Sequence, residues 1–186
     1  MPEAQLEDSG SGLAPANDGW FVVNVRDAEW VTSENGDKKP SGSECTFESR
    51  KVEFPQLGVR LHVLTPGEPN GLYHGESQQE DFLVLSGECT LLVEGEERLL
   101  RQWDFFHSPD WTEHIFVGAG DAPCVILMVG SRTGDWRVLY PVSELAARYG
   151  ASAEEETSDP NQAYTDAKFE PSRRERPSYW DRLPWA

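Results

Sequence analysis

The chain has 186 residues, enough for one well-buried domain and too few for two of ordinary size. Its 33 Asp and Glu against 16 Lys and Arg give a net charge of −17, which repels phosphate backbones and anionic headgroups and argues against nucleic acid and membrane partners. Apolar residues make up 38% of the chain, with seven Trp, which excludes a wholly disordered polymer.

In chain order, residues 1–18 carry Glu3, Glu7, Asp8 and Asp18 with no base in a Gly/Ser/Ala/Pro-rich stretch, and read as a flexible N-terminal segment. That segment has neither the basic flank nor the apolar run of a signal peptide. Residues 19–150 hold short β runs broken by turn chemistry. Strands are expected at 20–25, 44–48, 58–64, 80–86, 89–93, 97–101, 104–107, 113–117, 124–130 and 136–140. Residues 89–93 and 97–101 read as a hairpin around Glu94-Gly95-Glu96. Only 141–149, between Pro141 and Gly150, reads as helix. Many short strands with almost no helix predict an all-β barrel or sandwich.

Residues 151–186 form an acidic, extended tail that ends in Tyr179, Trp180, Leu183 and Trp185. The aromatics predict that 177–186 docks in an apolar groove, with 151–170 lying across the surface as a strap. Cys45, Cys89 and Cys124 are odd in number and widely spaced, which argues against a disulfide framework; Cys89 and Cys124, inside apolar runs, read as small core residues, and the cytoplasm is the expected compartment.

Four residues carry the candidate chemistry: His74, Glu76 and Glu80 within YHGESQQEDFLVLSGE, and His114 within SPDWTEHIF. Alternate residues of a strand share a face, so His74 and Glu76 point the same way, and Glu80 keeps that parity if the strand is not bulged. Two imidazoles and two carboxylates converging on one wall make a divalent-metal site, in which the cation offsets the burial of the acids. Glu76 reads either as a fourth ligand or as a free carboxylate able to act as a general base.

The spacing resembles the cupins. His74-x-Glu76, three residues, Glu80, six residues and Gly87 is similar to their first motif. Trp103, five residues, Pro109-x-Trp111, two residues, His114 and then Gly118 is similar to their second. His74, Glu80, Gly87, Asp104, Pro109 and His114 match that pattern. Glu76 replaces a motif histidine, Trp103 and Trp111 replace motif glycines, and Gly118 replaces the closing Asn. The resemblance implies a double-stranded β-helix, or jelly roll, holding one divalent metal. With Glu76 outside the ligand set, His74, Glu80 and His114 leave a two-His, one-carboxylate triad with open positions, suited to non-haem Fe(II). The His-x5-Glu…His spacing is similar to the 3-hydroxyanthranilate dioxygenase branch, without the CxxC pairs of some of its members.

The expected function is that of a metal-dependent enzyme, dioxygenase-like or isomerase-like, acting on a small organic molecule; a non-catalytic binding module is the alternative. Fe(II) or Mn(II) suits the oxygen-rich set best, with Zn(II) and Ni(II) admissible. Arg60 and His62 share a strand face, read as solvated outer surface with a cavity-lining alternative. Trp103 and Trp111 read as core or rim packing, with a substrate-platform alternative, and His107 as structural. The strand at 80–86 is apolar at both parities, which predicts a second sheet layer or a homodimer.

Overall fold

The structure, a computed structural model, describes residues 1–34, 40–164 and 173–186. Thirteen strands follow one another among them: β1 (Leu6–Asp8), β2 (Leu13–Pro15), β3 (Val31–Glu34), β4 (Pro40–Cys45), β5 (Leu57–Leu64), β6 (Gly75–Glu76), β7 (Glu80–Ser86), β8 (Glu88–Val93), β9 (Glu96–Arg101), β10 (Phe105–Ser108), β11 (His114–Gly118), β12 (Cys124–Ser131) and β13 (Val138–Leu139). One sheet has six strands in the order β10-β7-β12-β5-β4-β3; a second has the order β11-β8-β9; β13 pairs with β6 and β1 with β2. The strands pair antiparallel throughout, giving the all-β jelly roll expected from the turn spacing.

Alternation decides which face of each long strand is buried where. On the inner face, Leu64, Cys124, Ile126, Met128, Phe82 and Val84 pack against Cys89, Leu91 and Phe116 from the second sheet. On the outer face, Leu61, Val63 and Val125 join Trp30, Tyr179 and Leu183, with Trp180 and Trp185 packed against them. A strand apolar on both faces is thus covered by a sheet on one side and by the chain's own C-terminal segment on the other. Trp30, fully buried, holds the segment's aromatics, with its ring centroid 5.3 Å from Trp185 and 5.5 Å from Trp180. The Tyr179 hydroxyl adds a buried hydrogen bond of 2.9 Å with the Ser43 hydroxyl.

Several local expectations change. Residues 20–25 form no strand: Trp20 makes an isolated bridge to Glu3, Val22 stands in solvent, and Val23 and Val25 pack on the outer cluster from irregular backbone. The strand expected at 44–48 lies at Pro40–Cys45, and that at 136–140 shortens to Val138–Leu139. The helix expected at 141–149 is α1 (Glu144–Ala147), because the Ser143 hydroxyl accepts from the Ala146 N–H and so caps its start. A second short helix, α2 (Pro160–Ala163), is capped by Asp159, and a 3-10 turn spans Trp180–Arg182. The N-terminal residues carry the β1–β2 hairpin, with Ala4 and Ala14 buried. Of the strap expected at 151–170, residues 165–170 lie outside the described residues. Among the described residues, no helix is long and apolar enough to cross a membrane.

Candidate metal centre

His74 and His114 are brought together by backbone pairing. His74 precedes β6 and His114 opens β11, and the two residues form an antiparallel bridge with His74 N–H donating to His114 O at 3.2 Å and His114 N–H donating to His74 O at 2.8 Å. Residues opposite each other in such a pair project to one face, so the imidazoles meet, with centroids 5.3 Å apart. Each ring is oriented from behind by the carbonyl two residues earlier in the chain. His74 Nδ1 lies 2.8 Å from Leu72 O, and His114 Nδ1 lies 3.0 Å from Thr112 O. A carbonyl only accepts, so each Nδ1 carries the proton and each Nε2 keeps its lone pair. This is how proteins prepare imidazoles for a metal.

Glu80 supplies the third donor from the start of β7. Its Oε2 lies 3.4 Å from His114 Nε2, and one ligand atom from each of His74, Glu80 and His114 falls within 4.8 Å of the others. Burial pushes the Glu80 carboxyl up to about 8, helped by the Glu76 charge nearby. Burial likewise holds His114 down at about 4, with His74 beside it adding to the effect. Both shifts favour the neutral forms, so the 3.4 Å contact is not an ion pair at neutral pH. Glu80 Oε2 is buried without a hydrogen-bond partner. Two imidazole lone pairs and an orphaned carboxylate oxygen form a donor set that fits one divalent cation, which would satisfy all three.

The structure does not bring Glu76 into this cluster. Glu76 shares the cavity side with His74, as the alternation expects, but its carboxylate is turned to another partner. Glu76 Oε2 instead accepts a 2.7 Å hydrogen bond from Trp136 Nε1. It still lines the same cavity, of about 550 Å³, whose wall also includes Asn70, Gln78, Phe82, Phe116, Met128, Trp136 and Tyr164. Phe82 and Phe106 pack edge-on against the His114 ring, and Tyr140 lies 5.7 Å from the His74 ring.

Other sequence candidates divide. Arg60 and His62 lie on the inner face opposite Met128 and Ile126, not on a solvated outer face. Arg60 lines the cavity, while His62 is buried and held down at about 4 by desolvation. Trp103 and Trp111 are 67% and 42% exposed, so neither is core. Both stand at positive φ, 75° and 63°, which explains why glycine suits those motif positions. Trp111 lies under the Arg137 guanidinium, 5.5 Å from the ring centroid. His107 pairs with Asp81 at 2.7 Å, away from the cluster. The contributions of Trp136, Tyr140 and Tyr164 had no local signal, because each reaches the site from a segment distant in sequence.

The family described as "Cupin domain" matches residues 60–130, which span β5 to β12 and include His74, Glu80 and His114. The likeness to the cupins thus lies in the segment that carries the His74, Glu80 and His114 cluster. Among solved structures, it is similar to a protein of Acidithiobacillus ferrooxidans provisionally named as a sugar phosphate isomerase, at 30% identity over 46% of this chain and 56% of that one, with a TM-score of 0.44. It is similar to a sugar phosphate isomerase of Silicibacter pomeroyi, at 28% identity over 53% of this chain and 64% of that one, TM-score 0.47. It is also similar to the salicylate 1,2-dioxygenase of Pseudaminobacter salicylatoxidans, at 21% identity over 41% of this chain and 21% of that one, TM-score 0.38. In each case the match spans less than two thirds of the other protein's length. No curated protein matches the chain.

Proposed function

We propose that the chain is a metal-dependent enzyme whose one divalent cation is held by His74, Glu80 and His114. The observation that carries this reading is the buried, unpartnered Glu80 Oε2 facing two imidazoles whose Nδ1 atoms are tied to carbonyls. Three protein ligands opening on a cavity of about 550 Å³ leave room for a small organic substrate beside the cation. When bound, the cation would act as a Lewis acid toward a substrate oxygen. The chain's own residues do the rest. Phe82, Phe116 and Met128 exclude water from the inner wall, and the two carbonyl-anchored imidazoles keep the donor geometry fixed. Glu76, aimed by the Trp136 indole, stands at the cavity wall as a proton acceptor. The set suits Fe(II) or Mn(II), with dioxygenase-like or isomerase-like chemistry. Equilibrium dialysis against Fe(II), Mn(II), Zn(II) and Ni(II) in turn tests it: one ion per chain is expected for at least one metal, and uptake by none contradicts the reading.

We also propose that the protein is a cytoplasmic homodimer, paired through the β10 edge of the six-stranded sheet. There, Phe105 stands 62% exposed at the start of the edge strand β10. Light scattering at micromolar concentration should give twice the chain mass, and Phe105→Glu should halve it. A wild-type monomer contradicts the pairing.

A further inference from the structure

Two arginines line the cavity, and they differ in what already holds them. Arg132 is saturated: its guanidinium donates to Glu48 Oε1 at 2.7 Å, to Glu48 Oε2 at 2.8 Å and to the Phe54 carbonyl at 2.8 Å. Arg60 has one hydrogen bond among the described residues, at 3.4 Å to Glu44 Oε2, and both side chains are partly open to solvent. A guanidinium has five donors, so most of the Arg60 fork is uncommitted.

Its position is set by strand register. On the inner face, one row across the sheet runs Arg60, Met128, Phe82, and the next runs Gly58, Gly130, Glu80. Two of the three positions in the second row are glycines; the Arg132 guanidinium lies over Gly58, 3.2 Å from where its Cβ would stand, and the Glu80 carboxylate flanks Gly130. Arg60 and Glu80 lie on strands two spacings apart, about 10 Å across the sheet. The Arg60 charge favours an anion beside it in the cavity. With a divalent cation bound, Glu76 and Glu80 are balanced, and Arg60 remains as the weakly paired positive group facing the cavity of a chain at −17.

We propose that the cavity's ligand is an organic oxyanion, its carboxylate or phosphate gripped by Arg60 at the cavity wall while its other end faces His74, Glu80 and His114. This rests on the metal reading above and adds the substrate class to it. Arg60 is a specificity-determining residue: it selects molecules with an anionic group placed away from the cation.

The test uses full-length protein loaded with Co(II), whose visible spectrum reports ligands entering the metal's surroundings. Two probe pairs separate the metal end from the Arg60 end. Malate adds a carboxylate to lactate, and 3-phosphoglycerate adds a phosphate to glycerate. In the wild type, at least one member with the distal anion should bind about tenfold more tightly than its partner. In Arg60→Gln that advantage should vanish, with lactate and glycerate affinities and Co(II) content unchanged; Arg60→Lys should restore part of it. The pair that shows the effect identifies carboxylate or phosphate as the group held. A distal-anion advantage absent from the wild type, or surviving in Arg60→Gln, overturns the proposal while leaving the metal site standing. Loss of Co(II) uptake by the wild type would instead remove the metal reading first, and this one with it.

Discussion

His74 and His114 sit opposite each other across an antiparallel bridge, exchanging backbone hydrogen bonds of 3.2 and 2.8 Å, so that two residues 40 positions apart present their rings 5.3 Å from one another. The alignment comes from main-chain pairing and from the carbonyls of Leu72 and Thr112, none of which needs a metal. The site is therefore built before any cation arrives, and the fold bears the cost of a buried carboxyl with no partner.

That cost should be visible as a pH dependence of the metal-free protein. Glu80 is raised from 4.5 to about 8 in the native state, so above pH 4.5 the unfolded chain releases a proton that the native one keeps, and stability falls as pH rises toward 8. His62 and His114 are lowered from 6.5 to about 4, so their contribution is present above 6.5 and lost as pH falls through 4. Two histidines outweigh one carboxyl below pH 6.5, and Glu80 alone acts above it. Urea melts should place maximum stability near pH 6.5, with a loss of about 2 kcal/mol by pH 8 that disappears in Glu80→Gln. A flat profile from 6.5 to 8 would contradict the buried, neutral carboxyl.

Deleting residues 177–186 should strip the outer sheet face. Tyr179 and Leu183 are both at least nine-tenths buried there, and Trp30 would lose its two ring contacts. Removing two large apolar side chains from a packed cluster costs about 4 kcal/mol, or a melting point lower by about 10 °C, with new dye-binding surface. Unchanged melting would mean that the segment contributes nothing to the core.

Trp103 offers the opposite effect. At φ 75° a side chain costs about 1–2 kcal/mol relative to glycine, and an exposed indole recovers little through packing. Trp103→Gly should raise stability by about 0.5–1 kcal/mol after the added unfolded-state entropy is subtracted. A loss of more than 1 kcal/mol in chemical denaturation would show that Trp103 packs against something, such as a second subunit.

Much of this was legible in the sequence where a single period rules. The short β-rich runs at 58–64, 80–86 and 124–130, bounded by turn residues, match three neighbouring strands of the six-stranded sheet, and the spacing of His74, Glu80 and His114 survives intact as a cluster. Legibility fails where both parities are apolar or the chain leaves the strand. Leu64 shares the face of Arg60 and His62, but Leu61 and Val63 on the other face look equally like core, so the sequence could not say which side was inside. Glu76 does face the cavity with His74, but its hydrogen bond from the distant Trp136 indole had no local signal. Residues 20–25 have strand composition, yet their apolar side chains pack from irregular backbone that pairs with no sheet strand beyond Trp20. Trp136 and Tyr164 reach the cavity, and Tyr140 the His74 ring, through tertiary contacts that no local pattern encodes.

The central claim is most directly tested by elemental analysis of protein purified without added metal, wild type beside His114→Ala. The account predicts about one divalent ion per wild-type chain, mostly lost in His114→Ala, together with the metal's share of thermal stability. Equal metal in both proteins, or none in the wild type before or after anaerobic reconstitution, would contradict it.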